Sequence, residues 1–183
     1  MDVIIRESCE SDGAAISDLA IAAFGESEGP VISALIEDLV ADSTARPMLS
    51  LVATIDNSVV GHILFTNAVI RQPSGSVSAA ILAPLAVHPE VQNQGVGGRL
   101  ILEGIVRLKA AGVDLVFVLG YPAYYTRYGF TRAGVLGYEA PYPIPKEHSD
   151  AWMVQVLRSG TAKTVEARVQ CANALDKQAY WQE

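Results

Sequence analysis

Val87-His88-Pro89-Glu90-Val91-Gln92-Asn93-Gln94-Gly95-Val96-Gly97-Gly98 is the stretch whose reading decides the fold. Before it lies a long apolar segment, 77–87, that reads as a buried strand. After it Val96, Leu100, Ile101, Ile105 and Leu108 recur at helical spacing, and Gly112 ends the pattern just past Ala111. Arg99, Glu103 and Arg107 fall on the other face of that helix, with Glu103 four residues before Arg107 for an ion pair. Leu115 to Leu119 is a short β-rich run. Strand, helix and strand in this order predict two parallel strands joined by a crossover helix.

Working outward, residues 3–7 read as a short strand. Ser11-Asp12 caps a helix carrying Ile16, Leu19, Ala20, Ala23 and Phe24, which Gly25 ends. Gly29-Pro30 opens a second helix with Ile32, Leu35, Ile36 and Leu39 on one face. Leu49–Ile55 and Val59–Phe65, joined at Asp56-Asn57-Ser58, form a hairpin pattern. Trp152–Leu157 and Thr164–Val169 read as antiparallel strands closing the sheet. The fold class is mixed α+β, with a mostly antiparallel sheet around one parallel strand-helix-strand unit. The 183 residues suit one domain, with a core over about 3–157 and a C-terminal strand and tail over 158–183.

Composition narrows the function. Half of the residues are hydrophobic, enough for a core without staples or metals. The two cysteines, Cys9 and Cys171, stand far apart in no ligand-spaced pattern, so neither a disulfide framework nor a zinc site is implied. The start lacks the charged region, apolar run and cleavage site of a signal peptide, and no uninterrupted apolar stretch reaches spanning length, so a cytoplasmic location is expected. A net charge of −7 argues against nucleic acid or an anionic membrane as partner. Up to Ala45 ten acids stand against the single base Arg6; such a field either concentrates cationic molecules or marks solvated helix faces.

The glycine-rich turn carries the chemistry. The first N–H groups of a helix lack internal partners, and the helix dipole adds positive charge there. Glycines remove the Cβ atoms that would hold an anion away. A Walker loop is excluded because Gly98 is followed by Arg99-Leu100, and the dinucleotide fingerprint fails because Leu100 stands where its third glycine belongs. What remains is Gln-x-x-Gly-x-Gly at Gln92, Gly95 and Gly97, a pattern that by itself also fits a plain helix start.

With Leu82-Ala83-Pro84-Leu85-Ala86-Val87-His88-Pro89 before it and Tyr124-Tyr125-Thr126-Arg127-Tyr128-Gly129-Phe130 after it, the chain resembles the GNAT superfamily of N-acetyltransferases, especially its YhbS-like branch. The resemblance covers nearly the whole chain, and the order and spacing of the three blocks carry it. It implies a central mixed sheet splayed at a cofactor site, acetyl-CoA as co-substrate and no metal. It also implies that Leu85, Ala86 and Val87 meet the pantetheine arm, and that Gln92, Asn93, Gln94, Gly95, Val96, Gly97 and Gly98 hold the diphosphate with Arg99 nearby. Pro84 fits independently, since a residue without an N–H interrupts ladder pairing.

Acyl transfer to an amine needs a neutral nitrogen, a stabilised tetrahedral intermediate and a proton for the leaving thiolate. The resemblance assigns that proton to Tyr125; Tyr124 and Tyr128 compete for the role, and an aromatic packing cluster is the structural alternative. No acid or histidine occupies 79–87, so the general base is left open among Glu26, Glu28, His88, Glu139 and His148, with His62 read as a structural histidine. Family topology places the acceptor pocket between the 24–30 loop, the outer hairpin and Ala140-Pro141-Tyr142-Pro143-Ile144-Pro145. The expected reaction is direct transfer to a primary amine of a small molecule in a ternary complex. Transfer to a protein lysine or N-terminus, transfer to oxygen, and a catalytically silent acyl-CoA sensor are its rivals. Oligomeric state is open, a homodimer included.

Overall fold

The structure is a computed structural model describing residues 1–73, 75–161 and 166–182. Nine strands are present among the described residues: β1 (Ile4–Glu7), β2 (Leu49–Ile55), β3 (Ser58–Gln72), β4 (Gly75–Val87), β5 (Leu115–Leu119), β6 (Thr131–Arg132), β7 (Tyr138–Glu139), β8 (Trp152–Val156) and β9 (Ala167–Gln170). The main path runs β1-β2-β3-β4-β5-β8-β6. β4 and β5 are parallel, the other pairs on this path are antiparallel, and β9 joins the far end of β3. The mixed α+β reading holds. Of the second closing strand, Thr164 and Val165 lie outside the described residues.

Helices α1 (Gly13–Ala41) and α2 (Val96–Ala110) cover opposite faces. β5 shows why its sequence does not alternate. Leu115 and Phe117 bury on the α1 face, Val116 and Val118 on the α2 face, so every position is apolar. On the α2 side the helix settles onto β3 where Gly104 leaves no Cβ to strike the Phe65 ring. On the α1 side, Leu35, Leu39, Leu64 and Phe117 share a core with Ala172, Leu175 and Trp181. The Trp181 indole donates to the Leu175 carbonyl at 3.0 Å and packs edge-on to Trp152. The C-terminal tail is therefore part of the core, which extends beyond residue 157.

The β2–β3 turn places Asp56 and Asn57 at φ 49° and 65°, with Ile55 opposite Ser58. These are the left-handed angles a two-residue hairpin turn demands, and short polar residues bear them best.

The two predicted N-terminal helices are present as the two halves of α1, joined at a break and folded back on each other. Gly25 breaks the helix at φ 81°, a conformation glycine adopts without steric cost. Helical backbone resumes at Glu26 instead of Gly29-Pro30. The halves then pack antiparallel: Gly29 lies against the Ile21 backbone, and the Ser17 and Ser33 hydroxyls bond at 2.6 Å. Residues 10–41 have the length and hydropathy of a membrane-crossing helix. The break divides them into halves 13–24 and 26–41, each shorter than the ~20 residues a bilayer core requires.

Asp12 does not cap the helix as its position suggests. Its carboxylate takes a two-pronged bond from Arg6, at 2.7 and 2.9 Å, and a third from the Cys9 N–H. The arginine holds its pKa well below the usual carboxylate range. His62 is buried in β3, with Nε2 2.9 Å from the Ser50 hydroxyl. Burial pushes its pKa down to about 4, so the ring is neutral at pH 7.

Two outcomes follow for stability. A Cβ at Gly29 would stand 2.5 Å from the Ile21 Cα, a backbone atom that cannot turn aside. Gly29→Ala should therefore lower unfolding free energy by about 1–3 kcal/mol in urea, despite alanine's better helix propensity; an unchanged or raised midpoint contradicts the close packing. Because His62 binds a proton more readily unfolded, stability should be full above about pH 6.5 and decline toward pH 4. Between pH 7 and 5 the loss should be roughly 2 kcal/mol, and His62→Gln should flatten it. Asp12 loses its contribution only as pH falls through the ordinary carboxylate range, about 4 and below, so an identical profile between pH 7 and 5 in the two proteins removes His62 as the cause.

Candidate active site

The site begins where β4 and β5 part. Their parallel pairing runs from Ala79 opposite Leu115 to Leu82 opposite Val118 and goes no further. β4 continues to Val87 along β3, while β5 follows β8, with Leu119 opposite Trp152. The cause is a bulge. Leu82 faces Phe65 and Leu85 faces Ile63, so β4 spends one residue more than β3 across Ala83-Pro84. Pro84 adds no donor to a ladder there. Pairing is interrupted where the sequence puts the proline, and an open seam follows.

At the end of β4 the chain enters the glycine-rich turn. Gln92 Nε2 donates to the Val87 carbonyl at 3.0 Å and closes the turn on itself. Asn93 and Gly95 take φ values of 60° and 85°. α2 then starts with no side-chain cap. The Arg99 N–H reaches the Gly95 carbonyl at 3.0 Å, but among the described residues no acceptor meets the N–H groups of Val96, Gly97 or Gly98. These amides open onto a cleft of about 310 Å³. The arrangement provides uncapped donors, the positive end of a dipole and no Cβ in the way, which together suit a multiply charged anion.

Val87, Gln92, Asn93, Gly95, Val96, Gly97 and Gly98 line this cleft. Leu85 packs beside Gly97 on the same side of the sheet. Ala86 is buried and pairs across the sheet with His62. Gln94 folds back, donating to the Glu90 carbonyl at 3.1 Å. Arg99 extends outward and donates to the Val3 carbonyl at 2.8 Å, outside the cleft. The guanidinium in the cleft is that of Arg127, over the Tyr124 ring at 4.9 Å. Sequence reasoning passed over it, although it stands inside the quoted tyrosine block.

Short helix α3 (Pro122–Tyr125) separates the three tyrosines by task. Tyr124 and Tyr128 line the cleft, with their hydroxyls where side chains at Gly97 and Gly98 would have to be. Those glycines thus make room for phenols as well as for an anion. Burial, and then the Tyr128 phenol, pushes Tyr124 up to about 12, so it keeps its proton as a donor. Tyr125 turns the other way. Its ring is buried against Gly120, the first residue past β5, and meets Phe130 edge-on at 5.6 Å. That places it on the β5 side of the seam.

None of the candidate bases lines the cleft. Glu26, Glu28 and His148 are exposed, Glu139 pairs with Arg168 at 3.3 Å, and His88 Nδ1 accepts from the Glu90 N–H. The proline-rich segment walls a separate hollow of about 370 Å³ with Tyr138, Ala140, Tyr142, Ile144 and Trp152, without contribution from residues 24–30 or the outer hairpin. No cluster of three or more metal-ligating side chains occurs among the described residues.

Known proteins share this design. A family model for the acetyltransferase (GNAT) domain matches residues 4–133. The uncharacterized N-acetyltransferase YjhQ of Escherichia coli K12 is 46% identical over 166 residues, covering 90% of this chain and 89% of its own. The crystal structure of YhbS, an Escherichia coli GNAT-family N-acetyltransferase in complex with CoA, superposes with a TM-score of 0.83 at 27% identity, over 96% of this chain and 92% of that one. A GNAT-family acetyltransferase from Brucella melitensis in complex with acetyl-CoA gives 0.73 at 26% identity, over 96% and 99%. Family model, sequence relatives and splayed sheet agree: the chain belongs to the GNAT family and is an acyltransferase.

Proposed function

We propose that this protein transfers an acetyl group from acetyl-CoA to a primary amine of a small molecule, directly and within a ternary complex. The observation that carries this reading is the set of uncapped amides at Val96, Gly97 and Gly98, facing a cleft that Arg127 shares and that adjoins the open seam between β4 and β5. Diphosphate is the group those donors suit. Arg127 adds a charge and Tyr124 a protonated phenol at the same end, with the Tyr128 hydroxyl beside them. The pantetheine arm follows Leu85, Ala86 and Val87 along the part of β4 that β5 leaves unpaired. YhbS and the Brucella enzyme, which hold CoA and acetyl-CoA respectively, support the assignment.

The thioester then falls in the seam. Tyr125, resting on Gly120 at the end of β5, is the proton donor for the departing thiolate. Tyr124 and Tyr128 belong to the anion end instead. The acceptor approaches beside the proline-rich segment, whose aromatic hollow adjoins β8 at Trp152, the partner of Leu119. An amine attacks the carbonyl only when neutral, so turnover rises with pH toward the pKa of the bound amine.

Free coenzyme A release, measured with a panel of small amines, tests the reading. Acetyl-CoA with at least one amine should give stoichiometric thiol and an amide product of matching mass. Thiol release only with peptide or hydroxyl acceptors would overturn the small-amine assignment, and binding without release would make the protein a sensor. Tyr125→Phe should lower turnover about 10²-fold with acetyl-CoA affinity nearly unchanged. Full turnover in that variant would remove Tyr125 from the mechanism.

A further inference from the structure

β1 ends the sheet: β2 lies on one side of it, and among the described residues no strand lies on the other. The Ser8 N–H donates to the Ser50 carbonyl at 2.9 Å, which fixes the phase of the ladder. Ile4, Arg6 and Ser8 therefore spend their backbone groups on β2, and those of Val3, Ile5 and Glu7 point away from it. Side chains reach two of the outward carbonyls, Arg99 bonding Val3 at 2.8 Å and Arg6 bonding Glu7 at 3.0 Å. The Ile5 N–H and C=O and the Glu7 N–H meet no partner among the described residues. Such a row is a template for another strand.

The surroundings of this edge are apolar as well. On the α2 face Ile5 shares an open groove with Leu102 and Val106, which are 53% and 63% exposed. These two stand four residues apart, one turn along the helix, beside Arg99 and Glu103. Ile4, next to Ile5 and so on the other face of the strand, is 57% exposed. The charges are unevenly matched. Arg99 has no carboxylate partner among the described residues, whereas Glu7 reaches Arg107 at 3.3 Å and still stands well into solvent.

We propose that this edge seats a second copy of the chain, with β1 antiparallel to its counterpart about a two-fold axis at Ile5. In that register Ile5 faces the partner's Ile5, and Val3 faces the partner's Glu7. The two Ile5 residues exchange both N–H···O bonds. Each Glu7 N–H donates to the opposite Val3 carbonyl, whose second lone pair Arg99 leaves free. The same register brings Arg99, held at Val3, to the partner's Glu7 and supplies its missing carboxylate. Leu102 and Val106 of both copies close over the paired Ile5 side chains. A second copy is favoured over a foreign strand because β1 and α2 carry their own complement: donor against acceptor, acid against base, apolar against apolar. The pairing uses both free edges at once, so assembly stops at two.

Sedimentation velocity over a concentration series tests this, together with amide hydrogen exchange. The sedimenting mass should rise to that of two chains, and exchange at the Ile5 and Glu7 amides should slow as it does. Leu102→Glu combined with Val106→Glu, both at exposed positions, should return the mass of one chain with an unchanged circular dichroism spectrum. Arg99→Glu should weaken association about tenfold, since symmetry repeats the lost pair. Adding Glu7→Arg to that variant reverses the pair and should recover most of the loss. The mass of one chain throughout the series overturns the proposal. So does a dimer that survives the change at Leu102 and Val106, or one whose Ile5 amide exchanges as fast as in the single chain. Failure of Glu7→Arg to recover association in the Arg99→Glu background overturns the register.

Discussion

The parallel pairing of β4 with β5, and its end at Leu82, is the constraint on which the rest depends. Two adjacent parallel strands require a crossover, and a right-handed one returns the chain through a helix on one face. α2 is that helix. Its first turn therefore stands at the C-terminal end of β4, next to the seam that opens when the bulge at Ala83-Pro84 turns β4 away. One topological choice thus brings uncapped amides and unpaired strand edge together. Neither feature alone would make a site: amides without the seam would bind an anion, and a seam without amides would hold nothing charged.

This constraint was legible because each part has a strong local signal. Glycines at 95, 97 and 98 before a helical repeat, and a proline inside an apolar run, are punctuation with few meanings. The signal that misled was Gly29-Pro30, which looks like a helix start. Tertiary packing explains the difference: Gly29 is needed where the two halves of α1 touch at Ile21, and Gly25 alone makes the bend. The tail was underread for a related cause. Its residues have no clear period, yet Leu175 and Trp181 bury through single contacts with the α1-side core.

Side-chain direction was the part the sequence could not carry. Arg99 is the arginine adjacent to the turn, and helix geometry points it outward to Val3. Arg127 is distant in sequence and enters the cleft because the short helix α3 folds back over α2. The same fold-back distinguishes neighbouring phenols, setting Tyr124 over Gly97 and Tyr125 over Gly120. The acidic N-terminal third is also partly spent on structure. Asp12 serves Arg6, Glu7 reaches Arg107, and Asp42 takes the N–H groups of Thr44 and Ala174. The exposed remainder of that acid still favours cations over anions near the α1 hairpin.

The central claim is that three main-chain donors at the head of α2 hold the diphosphate. A ¹H–¹⁵N titration with coenzyme A reads those donors one by one. Saturable downfield shifts of the Val96, Gly97 and Gly98 amides, following one curve with the Arg127 side-chain signal, are the predicted result. If coenzyme A saturates the protein while these three amides stay where they were, the account is wrong.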